Sequence, residues 1–307
     1  MPAIMPHVAI DSARLHYEEA GAGPAVLFVH GWAASCGFFR GAMDRLAPSR
    51  RCITVCWKGM GDSEKPDAAY SIEDYVGELG QVADRFGLER FVLVGHSMGG
   101  MVSAAFAARH PERVQGLVLV SAPLRGPTAL SWRARLLLVP VLNFLIWLIA
   151  HLRWVRRIAA RDFTYATRLD DWVLDDVMKA SFTSLTRSVR SMSATDLTDR
   201  LAAIRAPTLV VSSDHDRIVR ADQFALARER IAGAEALHLT PVGHCPMMEA
   251  PDRFQAALAA FVARAQGAPV AAASPAALPA GALPPPAAAT APATARSAVP
   301  PGVAPAA

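Results

Sequence analysis

Short unbroken apolar runs recur along this chain, separated by longer stretches in which apolar residues return at helical spacing. Ala25–His30, Cys52–Cys56, Phe91–Val94, Val114–Val120 and Thr208–Val211 are runs of the first kind and predict strands buried on both faces. Ala236–Leu239 predicts one more strand, and Val8–Ile10 with Arg14–Glu18 predict a hairpin turned at Asp11-Ser12. Among the helical stretches the clearest start is Ser71-Ile72-Glu73-Asp74, a serine with an acid three residues on. That is the capping-box pattern, with Asp in place of the usual Glu, and the helix it opens is predicted to reach about Phe86. Further helices are predicted near 221–231 and 250–265. Strands alternating with helices predict the α/β class, a mostly parallel, doubly wound sheet covered on both faces.

Two breaks interrupt the pattern. Between Pro123 and about Ile204 the alternation gives way to a mostly helical insert, so 1–123 and 205–266 are expected to form the core and 124–204 a helical cap. From about Gly267 the chain is nearly all Ala and Pro, with Arg296 its one charge; repeated proline prevents a helix, and 267–307 is expected to be a disordered tail. Within the cap, 136–150 is the most apolar stretch of the protein, interrupted by Pro140 and Asn143. At 15 residues it falls short of the roughly 20 that span a bilayer. Arg133, Arg135, Arg153, Arg156, Arg157 and Arg161 flank it. It reads as a cap helix roofing an apolar pocket, with Leu145 and Trp147 as lining candidates, or as a segment meeting a membrane surface over 131–161.

At 307 residues the chain can bury a large core. Its net charge of +4 is mildly basic, and no basic block interleaved with aromatics points to a nucleic acid. The first residues carry neither a cationic nor an apolar leader segment, and a cytoplasmic location is expected. Cys36, Cys52, Cys56 and Cys245 have no metal-ligand spacing; Cys52 and Cys56 read as core packing on one strand. No metal or organic cofactor is implied.

The candidate chemistry begins at Gly95-His96-Ser97-Met98-Gly99-Gly100, set between the run Phe91–Val94 and the helix-forming stretch that starts at Met101. Strand, tight glycine turn and helix with a serine at the apex is the arrangement of a nucleophile elbow. A serine hydroxyl needs a base, itself oriented by an acid. His244 lies on the turn-rich loop Thr240–Pro246 after a predicted strand, and a histidine there can reach another strand's end. His96 adjoins Ser97, but neighbouring side chains in such a turn point apart. Asp214 and Asp216, on the loop after Thr208–Val211, are both candidate acids, and the order along the chain is serine, aspartate, histidine. His30-Gly31-Trp32 ends an earlier strand, so the N–H of Trp32 is expected to join that of Met98 in holding an oxyanion. His30 is a further candidate for the pocket wall.

Taken together, His30-Gly31-Trp32, Gly95–Gly100, Ser213–Val219 and Gly243–Pro251 resemble the α/β-hydrolase fold superfamily, of the esterase, haloperoxidase and C–C hydrolase type, over about residues 7–265. The resemblance implies Asp216 as the acid, because it precedes the apolar pair Ile218-Val219, with Asp214 as the fallback. It also implies departures. In the family the loop after the fourth strand usually reads Asp-x-Arg-Gly-x-Gly-x-Ser; here Cys56 and Lys58 replace the aspartate and arginine, and Arg220 stands where proline is frequent. The ion pair that braces this loop in relatives is therefore expected to be missing. Ser97 sits where dehalogenases and epoxide hydrolases of this fold carry an aspartate nucleophile. The expectation is a serine hydrolase of a carboxylic ester, through an acyl-enzyme, with a hydrophobic acyl or aromatic small molecule as partner. C–C hydrolysis, acyl transfer or a lyase reaction on the same residues, a membrane-surface lipase-like protein, and a non-catalytic binding protein are the alternatives.

Overall fold

The structure is a computed structural model that describes residues 6–11, 13–139, 144–145, 148, 152, 157–158, 160–162, 164–165 and 171–267. The expectations for the Ala/Pro-rich segment beyond residue 267, and for Trp147, lie outside them.

Eight strands, His7–Ile10 (β1), Ala13–Ala20 (β2), Ala25–Val29 (β3), Arg51–Val55 (β4), Phe91–His96 (β5), Val114–Val120 (β6), Thr208–Ser213 (β7) and Glu235–Leu239 (β8), form one sheet in the order β1-β2-β4-β3-β5-β6-β7-β8. β1 and β2 are antiparallel, the predicted hairpin, and β2 is antiparallel to β4. From β4 to β8 every pair is parallel. All six residues of β5 are buried, as its continuous apolar run requires. Alternate residues serve opposite faces. Leu27, Leu93 and Leu117 pack on one side with the helices Ile72–Arg85 (α2) and Met98–Arg109 (α3). Val26, Val92 and Val118 pack on the other with Arg40–Leu46 (α1) and the helix Pro251–Ala265.

α2 begins where the sequence places it. The Ser71 hydroxyl accepts the Asp74 N–H and the Asp74 carboxylate accepts the Ser71 N–H, each at 3.0 Å. Parallel order puts the carboxyl ends of β5, β7 and β8 on one edge, and the loops that follow them carry the candidate residues.

Between β6 and β7 the described residues are mainly helical, with Asp171–Val177 and Phe182–Ala194 the longest pieces. Of the apolar stretch, Leu136–Leu138 forms a 3₁₀ turn, and Phe144, Leu145 and Leu148 are helical. Among the described residues no helix is long and apolar enough to cross a membrane.

Candidate active site

Ser97 follows β5 with φ +52° and ψ −121°, a backbone that a side chain adopts only at a cost of about 1–3 kcal/mol. It is held there from both sides: its N–H donates to the Val120 carbonyl at 2.8 Å, and its carbonyl accepts the Met101 N–H at 3.1 Å. The flanking glycines allow strand, helix and β3 to converge. A Cβ on Gly95 would lie 2.5 Å from the Gly99 carbonyl oxygen, and one on Gly99 would lie 2.5 Å from the His30 carbonyl oxygen. Met98 opens α3, so its N–H belongs to the first turn, where no carbonyl within the helix can accept it.

The loop after β3 runs against this elbow: a Cβ on Gly31 would meet the Ser97 Cβ at 3.0 Å. Trp32, next along, sends its indole N–H to the Leu185 carbonyl at 2.9 Å, in the helix Phe182–Ala194.

Asp216 and His244 meet directly. Asp216 Oδ2 lies 2.8 Å from His244 Nδ1, and Oδ1 accepts the N–H groups of Ile218 and Val219, both at 2.9 Å. Burial pushes the Asp216 carboxyl up, but His244 and those two N–H groups outweigh it, and the net shift is downward. An ionised Asp216 keeps the proton of His244 on Nδ1 and leaves Nε2 as the accepting nitrogen. Asp214, the fallback, does other work: its carboxylate accepts the Val242 N–H at 3.0 Å and pairs with His215 at 2.9 Å, tying the loop after β7 to the loop that carries His244.

Two further residues, Glu249 and His96, brace that histidine loop. Glu249 accepts the Gly243 N–H at 3.0 Å and the Tyr165 N–H at 2.6 Å. His96 Nε2 donates to the His244 carbonyl at 3.0 Å, and the two rings lie 4.8 Å apart between centroids. Burial, with the His244 ring adding to it, pushes His96 down to about 3, so it stays neutral. The elbow residue His96 thus links the serine turn to the histidine loop. Glu249 was legible only as an acid shortly after His244, and nothing in its spacing fixes its target.

His30 is fully buried, Nδ1 donating to the Gly31 carbonyl at 2.8 Å and Nε2 accepting the Trp57 N–H at 3.1 Å. Leu145 is 48% exposed. With Cys56 and Lys58 in place of the family's aspartate and arginine, the loop after β4 is braced by a different ion pair. Lys58 donates its N–H to Glu78 at 3.0 Å and places its ammonium 3.6 Å from the other carboxylate oxygen, and burial pushes Glu78 up to about 7. Among the described residues no group of three or more His, Cys, Asp or Glu could hold a metal ion.

A sheet of this order, with an elbow serine after β5 and an aspartate–histidine pair on the loops after β7 and β8, defines the α/β-hydrolase class. A family model for the alpha/beta hydrolase fold matches residues 24–251, and the chain belongs to that family. It is 28% identical over 274 residues to a protein of Azorhizobium caulinodans named "Putative carbamate hydrolase RutD", covering 84% of this chain and 98% of that protein. Identity to haloalkane dehalogenase 2 of Mycobacterium tuberculosis is 34% over 107 residues, 34% of this chain and 37% of the dehalogenase. The crystal structure of the enol-lactonase from Burkholderia xenovorans LB400 superposes with a TM-score of 0.71 at 22% identity, covering 83% of this chain and 99% of the lactonase.

Proposed function

We propose that this hydrolase cleaves a carboxylic ester through an acyl-enzyme. In this reading Ser97 attacks the carbonyl and His244 Nε2 takes its proton, later returning it to the leaving group. Asp216 fixes the imidazole tautomer, and the N–H groups of Trp32 and Met98 hold the oxyanion. The observation that carries it is the buried 2.8 Å contact between Asp216 and His244 on the sheet edge that also presents the strained Ser97. A carbamate hydrolase also acts at a carbonyl carbon, and the relative so named is matched over nearly its whole length. An aspartate-nucleophile dehalogenation is not supported by a serine at position 97. The test is labelling with a fluorophosphonate. Wild type is expected to label, and Ser97→Ala and His244→Ala to lose the label. Equal labelling of all three would overturn the reading. Product analysis with and without an added alcohol acceptor separates hydrolysis from acyl transfer.

A second reading concerns where the substrate is met. Leu136, Val139, Leu145, Leu148, Leu152 and Ile158 are each between 42% and 53% exposed. They share their stretch of sequence with Arg135, Arg157 and Arg161, which are also exposed. Exposed apolar side chains with arginines near them in sequence suit an anionic lipid surface. Wild type is then expected to float with anionic vesicles, and the double variant Leu145→Glu/Leu148→Glu to stay behind. A wild type that never floats removes this reading without touching the first.

A further inference from the structure

Two thiols that the hydrolase chemistry does not use meet between the segments that follow β3 and β4. Cys36 begins the short 3₁₀ helix Cys36–Phe39, just beyond the loop that carries Trp32, and Cys56 follows β4. Both are buried and free, and their sulfurs lie 2.8 Å apart. Cys56 Sγ also accepts the Cys36 N–H at 3.2 Å. Cys52 and Cys245 are free and buried as well. The sulfur contact of Cys56 is made across 20 residues, with Cys36.

From this contact we infer that Cys36 and Cys56 form a redox modification site, a dithiol that peroxide converts to an intramolecular disulfide and that a thiol reductant restores. The inference does not depend on the ester-hydrolase reading, because neither sulfur takes part in it.

The two sulfurs are not equivalent. Burial pushes both thiols up, but on Cys56 the hydrogen bonds from Cys36 together with the His30 ring outweigh burial and the net direction is downward; Cys36 goes up. Cys56 is therefore the attacking thiolate. Its sulfur takes one oxygen of hydrogen peroxide, an S–O bond forming as the O–O bond breaks and hydroxide leaves. Cys36 then attacks the sulfenic sulfur: the S–S bond forms, the S–O bond breaks, and the departing hydroxide takes the Cys36 proton. In sum two thiols and one hydrogen peroxide give one disulfide and two waters, with two electrons passing from sulfur to peroxide. The sulfurs have to close to about 2.05 Å. Gly61 packs closely against the attacking atom, since a Cβ there would lie 2.7 Å from Cys56 Sγ.

The test is thiol counting and peptide mapping on the full chain, before and after a few equivalents of hydrogen peroxide. Free thiols in the denatured protein are expected to fall from four to two, with a single cross-linked peptide pair joining Cys36 to Cys56, and dithiothreitol should restore all four. In Cys36→Ser the sulfenic acid on Cys56 has no partner and is expected to react with dimedone; in Cys56→Ser no dimedone adduct should form at Cys36. Four surviving thiols, a cross-link that includes Cys52 or Cys245, or direct passage of wild-type Cys56 to the sulfinic acid would each overturn the inference. If a serine variant fails to fold, the wild-type map alone still decides.

Discussion

Replacing Asp216 by Asn isolates the one charge on which the proposed catalysis turns. Asn keeps a carbonyl oxygen for the N–H groups of Ile218 and Val219, which Asp216 now accepts at 2.9 Å, so the loop stays satisfied. What changes is the side facing His244: an amide N–H replaces the carboxylate oxygen 2.8 Å from Nδ1. The imidazole then accepts at Nδ1 and carries its proton on Nε2, where it cannot receive the one from Ser97. In a serine protease the equivalent change lowers kcat by about 10⁴, equivalent to about 5 kcal/mol at the transition state. The same loss is expected here, read as kcat on a chromogenic ester, with fluorophosphonate labelling slowed in parallel. Stability should respond differently. The folded-state pKa of Asp216 lies below its unfolded value, so its charge stabilises the fold above the unfolded pKa and that contribution is lost as pH falls through the folded one. Urea unfolding should therefore show wild type and Asn diverging at neutral pH and converging in acid. Asp214→Asn retains the oxygen that takes the Val242 N–H and should keep kcat within a few-fold. An Asp216→Asn enzyme within tenfold of wild type, or a larger loss at Asp214, would refute the assignment of the acid.

Glu78→Gln should remove a pH trend. Because burial raises Glu78 from 4.5 to about 7, its contribution to stability is present below the unfolded pKa and lost as pH rises through the folded one, so wild type should weaken by about 3 kcal/mol relative to Gln between about pH 4 and pH 8 in urea titrations. A pH-independent difference would contradict it. Gly99→Ala drives a methyl to within 2.5 Å of the His30 carbonyl, and strain of about 1–3 kcal/mol is expected in unfolding, with kcat falling as the elbow shifts; an alanine variant matching wild type in both would show that the convergence is looser than described.

What was legible in the sequence was whatever local pattern enforces. The buried strands announce themselves as apolar runs, and α2 by Ser71 and Asp74, because both signals are written within a few residues. Ser97 and His244 were nameable because each sits on a loop whose glycines or turn residues mark a strand end; the same signal left Asp214 and Asp216 both open, and the family resemblance favoured Asp216. What was not legible shares one cause. Only the fold shows Trp57 and Gly31 closing on both nitrogens of His30. Glu78 as the partner of Lys58, and Glu249 beneath the histidine loop, depend on the packing of distant segments or on a turn's geometry, neither of which composition encodes. Cys36 and Cys56 look unrelated along the chain because their meeting is a property of sheet order.

The bond from the Trp32 indole to the Leu185 carbonyl has a mechanical consequence. The residue whose backbone is proposed to receive the developing charge is tethered by its own side chain to the helix Phe182–Ala194. That helix cannot swing away from the sheet without either breaking the tether or pulling on the peptide beside Ser97. While the tether holds, displacement of that helix and distortion of the peptide beside Ser97 are one movement, and a ligand that pries the helix outward acts on the donor proposed for the oxyanion.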